Sequence, residues 1–219
     1  MKYHVFVDFD GTITINDVGH DFFEKFAFGK ASDIVSKYRQ GEISAVECLQ
    51  KECDIYNENP ASAYEVKQFV DSQKLTDGFI EFEEFCRSRQ IRLTILSAGF
   101  DFYILPILKK YGLSHLEVYN NPTLIKDGQV IPDFIYYDKD TCWQCSNCKG
   151  QRIRELTLPD ETSIFVGDGH SDSHGAEQAN IVFAKSYLAR YLDSSNINYF
   201  AYNDFFDVVK KFSDILRDG

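Results

Sequence analysis

The chain has 219 residues, 44% of them hydrophobic and 15% aromatic, and a formal net charge of −11. That is enough apolar material for one domain with a sizeable insertion or for two small domains, and too much for a disordered chain. The acidic balance, with no basic tract longer than a couple of residues, excludes binding to nucleic acid through phosphate contacts and attraction to an anionic membrane surface.

The first predicted element is a strand from Tyr3 to Phe9 in the run VFVDFDGTIT, rich in Val and Phe as the middle of a sheet requires. Asp8 breaks this run, so no signal peptide is expected, and no later segment has the length of a membrane span. The expected compartment is the cytoplasm, where the six cysteines remain mostly thiols. Phe22, Phe23 and Phe26 recur at helical spacing in HDFFEKFAF, and Ser32 to Arg39 continues in kind. SAVECLQKECDIY opens on a capping box, Ser44 with Glu47, and Pro60 opens ASAYEVKQFVDSQ. The three phenylalanines are expected as core of this helical unit, residues 16–75.

From Asp77 the pattern alternates between helix and strand. GFIEFEEFCRSRQ predicts a helix, IRLTILSAG a strand, and FDFYILPILKKYG a helix closed by Gly112. Short strands follow, with a hairpin in LIKDGQVIP, then a helix in KGQRIRELTL and a strand in TSIFVGDG. NIVFAK and NYFAY predict two more strands and Asp204 to Leu216 a last helix. The expected architecture is α/β, a doubly wound parallel sheet from residues 1–15 and 76–219 with a small all-helical cap, 16–75, inserted after the first strand.

The chemistry sits at the strand ends. Asp10-Gly11 by itself is an ordinary turn pair, but Asp8 lies inside the apolar run and needs a cation or ordered amides. Ser97 ends a second strand in ILSAG, and Asp168 ends a third in IFVGDGHSD, with Asp172 four residues on. Lys149 begins the helix before that third strand. In a parallel sheet these ends share one edge, so Asp8, Asp10, Thr12, Ser97, Asp168 and Lys149 are expected to converge. Hard oxygen donors beside an anion site select Mg²⁺, with Asp8 and Asp168 as carboxylate ligands and Asp10 free for proton transfer.

DFDGT, LSAGF, Lys149 and GDGHSD together resemble the four motifs of the haloacid dehalogenase superfamily of phosphatases, over nearly the whole chain. The helical insertion is similar to the cap of the phosphoserine-phosphatase-like branch. CWQCSNCKG and the tail FAKSYLARYL with YNDFFDVVKKF are similar to the methionine-salvage phosphatases that act on a methylthio-keto-pentenyl phosphate. The cysteine-rich run is similar also to phosphoethanolamine/phosphocholine phosphatases. The resemblance implies hydrolysis of a small phosphorylated metabolite through an aspartyl-phosphate on Asp8, with Asp10 as acid and base. It implies phosphate contacts from Thr12 and from Ser97, Ala98 and Gly99 of the second motif, and charge balance from Lys149. Mg²⁺ would be held by Asp8, the Asp10 backbone carbonyl and Asp168, with Asp172 bracing them, in a monomer or homodimer.

Four further positions carry expectations. Asp17 either contacts substrate or caps the helix that starts near Val18. His170 is expected on an exposed loop. Glu52 falls where the branch's phosphoserine enzymes carry a carboxylate-binding arginine, which disfavours phosphoserine by charge repulsion. Cys142, Cys145 and Cys148 have the spacing of a zinc site but supply only three sulfurs, so free thiols are expected. The competing readings are a phosphotransferase on the same fold and a non-catalytic metal-binding module built on these cysteines.

Overall fold

The computed structural model describes residues 2–218. Strand β1, Lys2–Val7, is buried over all but its first residue. The next run is helical, α1 Val18–Phe26, α2 Ser32–Arg39, α3 Ala45–Asn57 and α4 Ala63–Ser72. The chain then alternates through α5 Phe79–Ser88, β2 Arg92–Phe100, α6 Asp101–Lys110 and β3 Glu117–Asn121. A hairpin, β4 Thr123–Lys126 and β5 Gln129–Pro132, is followed by α7 Lys149–Leu156 and β6 Glu161–Gly167. The chain finishes with α8 Ser173–Gln178, β7 Ile181–Ala184, α9 Ser186–Ser195, β8 Phe200–Ala201 and α10 Phe205–Asp218.

Six strands form one sheet in the order β3-β2-β1-β6-β7-β8. Every pairing in it is parallel. β1 thus lies between β2 and β6, covered on both faces, which is why it reads as an unbroken apolar run. The strand order reverses beside β1, and the carboxyl ends of β1, β2 and β6 lie together there, the place where open α/β sheets bind ligands. β8 is shorter than NYFAY suggests and pairs only through Phe200 and Ala201 at the sheet edge.

The helical run leaves and rejoins the sheet at one point. Thr14 and Leu75 form an antiparallel bridge. Ile15 N–H donates to the Lys74 carbonyl at 3.1 Å and Thr76 N–H to the Ile13 carbonyl at 2.8 Å. Phe22 packs on Tyr56 and Phe69 within the helical run and on Phe102 of α6, with ring centroids 5.0 to 5.6 Å apart. Burying such a ring contributes about 2–3 kcal/mol, so this aromatic cluster joins the helices to the sheet layer.

Two details depart from the sequence reading. Ser44 caps α3 by accepting from Glu47 N–H at 3.1 Å, but the reciprocal bond is missing because Glu47 Oε1 takes Lys51 Nζ at 2.6 Å. The complete capping box is at α4, between Ser62 and Glu65, so that helix starts at Ala63 and not at Pro60. The hairpin stands apart from the main sheet and turns at Asp127 and Gly128, both at positive φ. Asn57 at the end of α3 clasps it, donating to the Val130 carbonyl and accepting from Val130 N–H, each at 2.8 Å.

Candidate active site

After β1 the chain turns tightly through Phe9–Ile13. Asp8 N–H still donates to the Val166 carbonyl at 2.9 Å, extending the strand pairing by one residue. Asp8 is therefore fixed at the sheet edge, only 4% exposed. Gly11 takes φ +77°, where a Cβ would stand 2.8 Å from Asp168 Oδ2. Glycine is needed there for the left-handed backbone and to let this turn approach Asp168.

Lys149 Nζ pairs with Asp8 Oδ1 and, at 2.5 Å, with Asp172 Oδ1, and all three groups are buried. Burial pulls the lysine down, but Asp172 and Asp8 outweigh it and hold the ammonium above its ordinary range. Burial first, then Asp172, pushes the Asp8 carboxyl well up, with Lys149 opposing. Losing one member of such a cluster leaves an uncompensated buried charge, a loss of about 3–5 kcal/mol. Asp172 Oδ2 also accepts the Asp168 and Gly169 N–H groups at 2.9 and 2.8 Å. It thereby fixes the loop after β6 and the lysine together.

Asp10 follows from the same turn. Its Oδ1 accepts Gly19 N–H at 3.2 Å, and its Oδ2 lies 3.3 Å from Ser97 Oγ and 3.1 Å from Tyr103 Oη. Burial, then the nearby Asp17, raises its carboxyl to about 7 against the pull of the Gly19 and Tyr103 bonds. A carboxyl near neutrality serves as acid and as base. Tyr103 was not singled out from the sequence, because its position in the first turns of α6 reads as ordinary helix core. Gly99 makes room for it, since a Cβ there would overlap Tyr103 Oη and stand 2.7 Å from Asp10 Oδ2.

Asp8, Asp10, Asp17, Ala98, Gly99 and Asp168 line one cavity of about 460 Å³. Ser97 and Thr12 are fully buried beside it. The Ser97 hydroxyl accepts Gly99 N–H at 2.9 Å, and the Thr12 hydroxyl donates to Asp168 Oδ1 at 2.8 Å. The Ala98 carbonyl accepts from Asn121 at 2.7 Å and the Ser97 carbonyl from Asn147 at 3.1 Å. These two asparagines were also missed, Asn121 ending β3 and Asn147 lying in a loop, because their partners lie far off in sequence. Asp17 caps α1, its Oδ1 accepting His20 N–H at 2.9 Å, and it also lines the cavity.

The donor set fits a divalent cation. Asp8, Asp168 and Asp172 bring carboxylate oxygens within 4.8 Å of one another, and Lys149 balances only part of that charge. Asp168 has no salt-bridge partner among the described residues, and burial, then Asp172, lifts its carboxyl to about 6. Hard oxygens with surplus negative charge suit Mg²⁺.

Residues from the helical run complete the cavity, and the expectations for His170 and Glu52 are corrected. Phe22 and Phe26 are core, but Phe23 also lines the cavity. His170 is half-buried in the cavity wall, its ring 5.2 Å from those of both Tyr38 and Tyr187. Glu52 is 5% exposed, and burial, then Asp17, pushes its carboxyl up to about 8. At neutral pH it is mostly a neutral acid, and Arg39 lines the same cavity. The expected repulsion of an amino-acid carboxylate by Glu52 therefore loses its basis.

A sequence model of the family described as haloacid dehalogenase-like hydrolase matches residues 5–177. The chain belongs to that hydrolase family. It is 30% identical over 221 residues to the 2-hydroxy-3-keto-5-methylthiopentenyl-1-phosphate phosphatase of Bacillus cereus, with 99% of each chain covered. The protein of that name from Bacillus anthracis matches to the same extent. Among solved structures, a phosphoserine phosphatase holding a phospho-aspartyl intermediate analogue superposes with a TM-score of 0.72 at 20% identity, over 96% of this chain and 98% of that one. A phosphoserine phosphohydrolase-like protein from Francisella tularensis gives 0.70 at 19% identity, over 96% and 99%. At these identities the structural likeness speaks for the fold.

Proposed function

We propose that this hydrolase is a Mg²⁺-dependent phosphomonoesterase that cleaves a small metabolite phosphate through an aspartyl-phosphate on Asp8. The observation that carries the reading is the pairing of two unlike carboxyls on one turn. Asp8 sits against the Lys149 ammonium, while Asp10 is raised to about 7 and held by Gly19, Ser97 and Tyr103. Asp8 attacks phosphorus in line as the ester bond breaks, and Asp10 gives its proton to the departing alkoxide. Asp10 then takes a proton from the water that cleaves the acyl phosphate. Lys149 offsets charge beside the nucleophile, and the loop of Ser97, Ala98 and Gly99, with Thr12, shapes the phosphoryl site. The Asp8 carboxylate, the Asp10 backbone carbonyl and Asp168 would hold Mg²⁺, which neutralises charge on the transferring phosphoryl group. Residues 16–75 act as a specificity cap over this machinery.

The preferred substrate is the methylthio-keto-pentenyl phosphate named for the Bacillus relatives. A cavity wall of Phe23, Val35 and Leu49 suits an apolar thioether tail, and neutral Glu52 can donate to a carbonyl or hydroxyl. Phosphoserine is the second reading, favoured by Arg39 in the same wall, with phosphoethanolamine and phosphocholine behind it. The test is phosphate release from all four substrates with and without Mg²⁺. The expected result is Mg²⁺-dependent release with the highest kcat/KM on the methylthio compound. A tenfold preference for phosphoserine would overturn the substrate assignment, and full activity in chelator would overturn the Mg²⁺ assignment.

A further inference from the structure

The segment 133–148 joins the hairpin to α7 without a regular element. A long irregular stretch inside an α/β domain needs something to hold it. Three of its side chains converge on one point. Cys142, Cys145 and Cys148 place their sulfurs 3.5, 3.3 and 3.9 Å from Nδ1 of His174 in α8. The four atoms all lie within 4.8 Å of one another. None of the three sulfurs is in a disulfide.

We propose that Cys142, Cys145, Cys148 and His174 form a structural zinc site. In a tetrahedron with Zn–S of about 2.3 Å and Zn–N of about 2.0–2.1 Å, each sulfur–nitrogen edge is about 3.6 Å, and the three observed separations bracket that length. Three thiolates and an imidazole are soft donors that select zinc over Mg²⁺ or Ca²⁺. All four positions are filled by protein, so the site is closed and structural and has no place for a reacting water. The three thiols give up their protons on binding, which leaves the complex with one net negative charge.

The ion has a definite task. Cys148 is the residue before α7, and Lys149 is that helix's first residue. His174 lies two residues beyond Asp172, the buried partner of Lys149. Zinc would therefore tie together the two segments that hold the Lys149–Asp172 pair. It would also anchor the loop beside the helical run, where Ala45 N–H donates to the Gln144 carbonyl at 2.7 Å. The sequence displays three sulfurs, and the fourth ligand becomes visible only once Lys149 is placed against Asp172.

The test begins with wild-type protein grown with added zinc and dialysed against Mg²⁺ buffer. Elemental analysis should give about one zinc per chain, and X-ray absorption at the zinc edge should show three sulfurs near 2.3 Å and one nitrogen. Replacing zinc with Co²⁺ should yield sulfur-to-cobalt charge transfer and tetrahedral visible bands. Cys145→Ser and His174→Ala should each lower bound zinc at least about tenfold, while His174→Cys restores it with a fourth sulfur. Asp168→Asn should leave it in place, which separates this site from the carboxylate cluster. Zinc-free protein after supplementation, or zinc in an oxygen and nitrogen shell without sulfur, would overturn the proposal. So would loss of zinc on Asp168→Asn with retention in Cys145→Ser.

Discussion

Glu52→Gln should stabilise the protein in alkaline solution and not in acid. Glu52 is buried in α3 with Cys48 Sγ, at 3.9 Å, as its hydrogen-bond neighbour. Burial and Asp17 lift its carboxyl from 4.5 to about 8. Because the folded value is the higher one, the stabilisation from holding the proton is complete below about 4.5. It is lost as pH rises toward 8. Each unit is worth about 1.4 kcal/mol, so between pH 5.5 and 8.5 the wild type should lose up to about 3 kcal/mol relative to a glutamine that does not titrate. The residue lines the cavity, where water entering on ionisation would screen the charge, and roughly half of that figure is expected. For a domain of this size that is a relative gain in Tm of about 3–6 °C for the variant at pH 8.5. Urea unfolding of both proteins at pH 5.5, 7 and 8.5 measures it. A difference between the two that stays flat with pH, or shrinks as pH rises, would refute a neutral buried acid at this position.

Three further substitutions probe the site. Asp8→Asn should lower kcat at least about 10³-fold with an unchanged far-UV spectrum, since an amide is a poor nucleophile, and more than about a percent of wild-type turnover would exclude Asp8 as nucleophile. Tyr103→Phe removes the hydroxyl on Asp10 while keeping the ring, so kcat on alkyl phosphates should fall about tenfold and on p-nitrophenyl phosphate much less; equal losses on both would show that Tyr103 does not orient the acid. Gly99→Ala drives a methyl into Tyr103 and Asp10, and a stability loss of about 1–3 kcal/mol with reduced kcat is expected. Wild-type urea midpoint and turnover in that variant would contradict the packing described.

What the sequence disclosed was chiefly what is local. Asp8, Asp10, Ser97 and Asp168 stand at the ends of apolar runs, and a parallel sheet leaves them no place but a common edge. Lys149 was legible because it opens a helix just before such a run. Contacts across the fold were hidden. Tyr103 looks like any aromatic in an apolar helix, and nothing near Asn121 or Asn147 announces the Ala98 and Ser97 carbonyls. The exposed reading of His170 failed because Tyr38 and Tyr187 close on it from elements remote in sequence. Glu52 was read by its formal charge, whereas its burial, a tertiary property, decides its protonation. The S-x-x-E pattern occurs at both Ser44 and Ser62, but Lys51 one turn on claims the first glutamate, so an identical local signal gives two different caps.

The bridge between Thr14 and Leu75 brings the two ends of the intervening chain side by side. To the sheet, everything between them is an excursion placed ahead of α5, the crossover helix between β1 and β2. The register of β1 against β2 and β6 is set on the far side of that bridge, so it does not depend on how much polypeptide the excursion contains. On the proposed reading, lengthening, shortening or exchanging the excursion would alter which molecules reach Asp8 while leaving the strand that carries Asp8 in place. Asp10, by contrast, accepts Gly19 N–H from inside the excursion, so the setting of the second carboxyl would change with it. The Asn57 clasp on the hairpin is a second tie that any transplanted excursion would have to reproduce or do without.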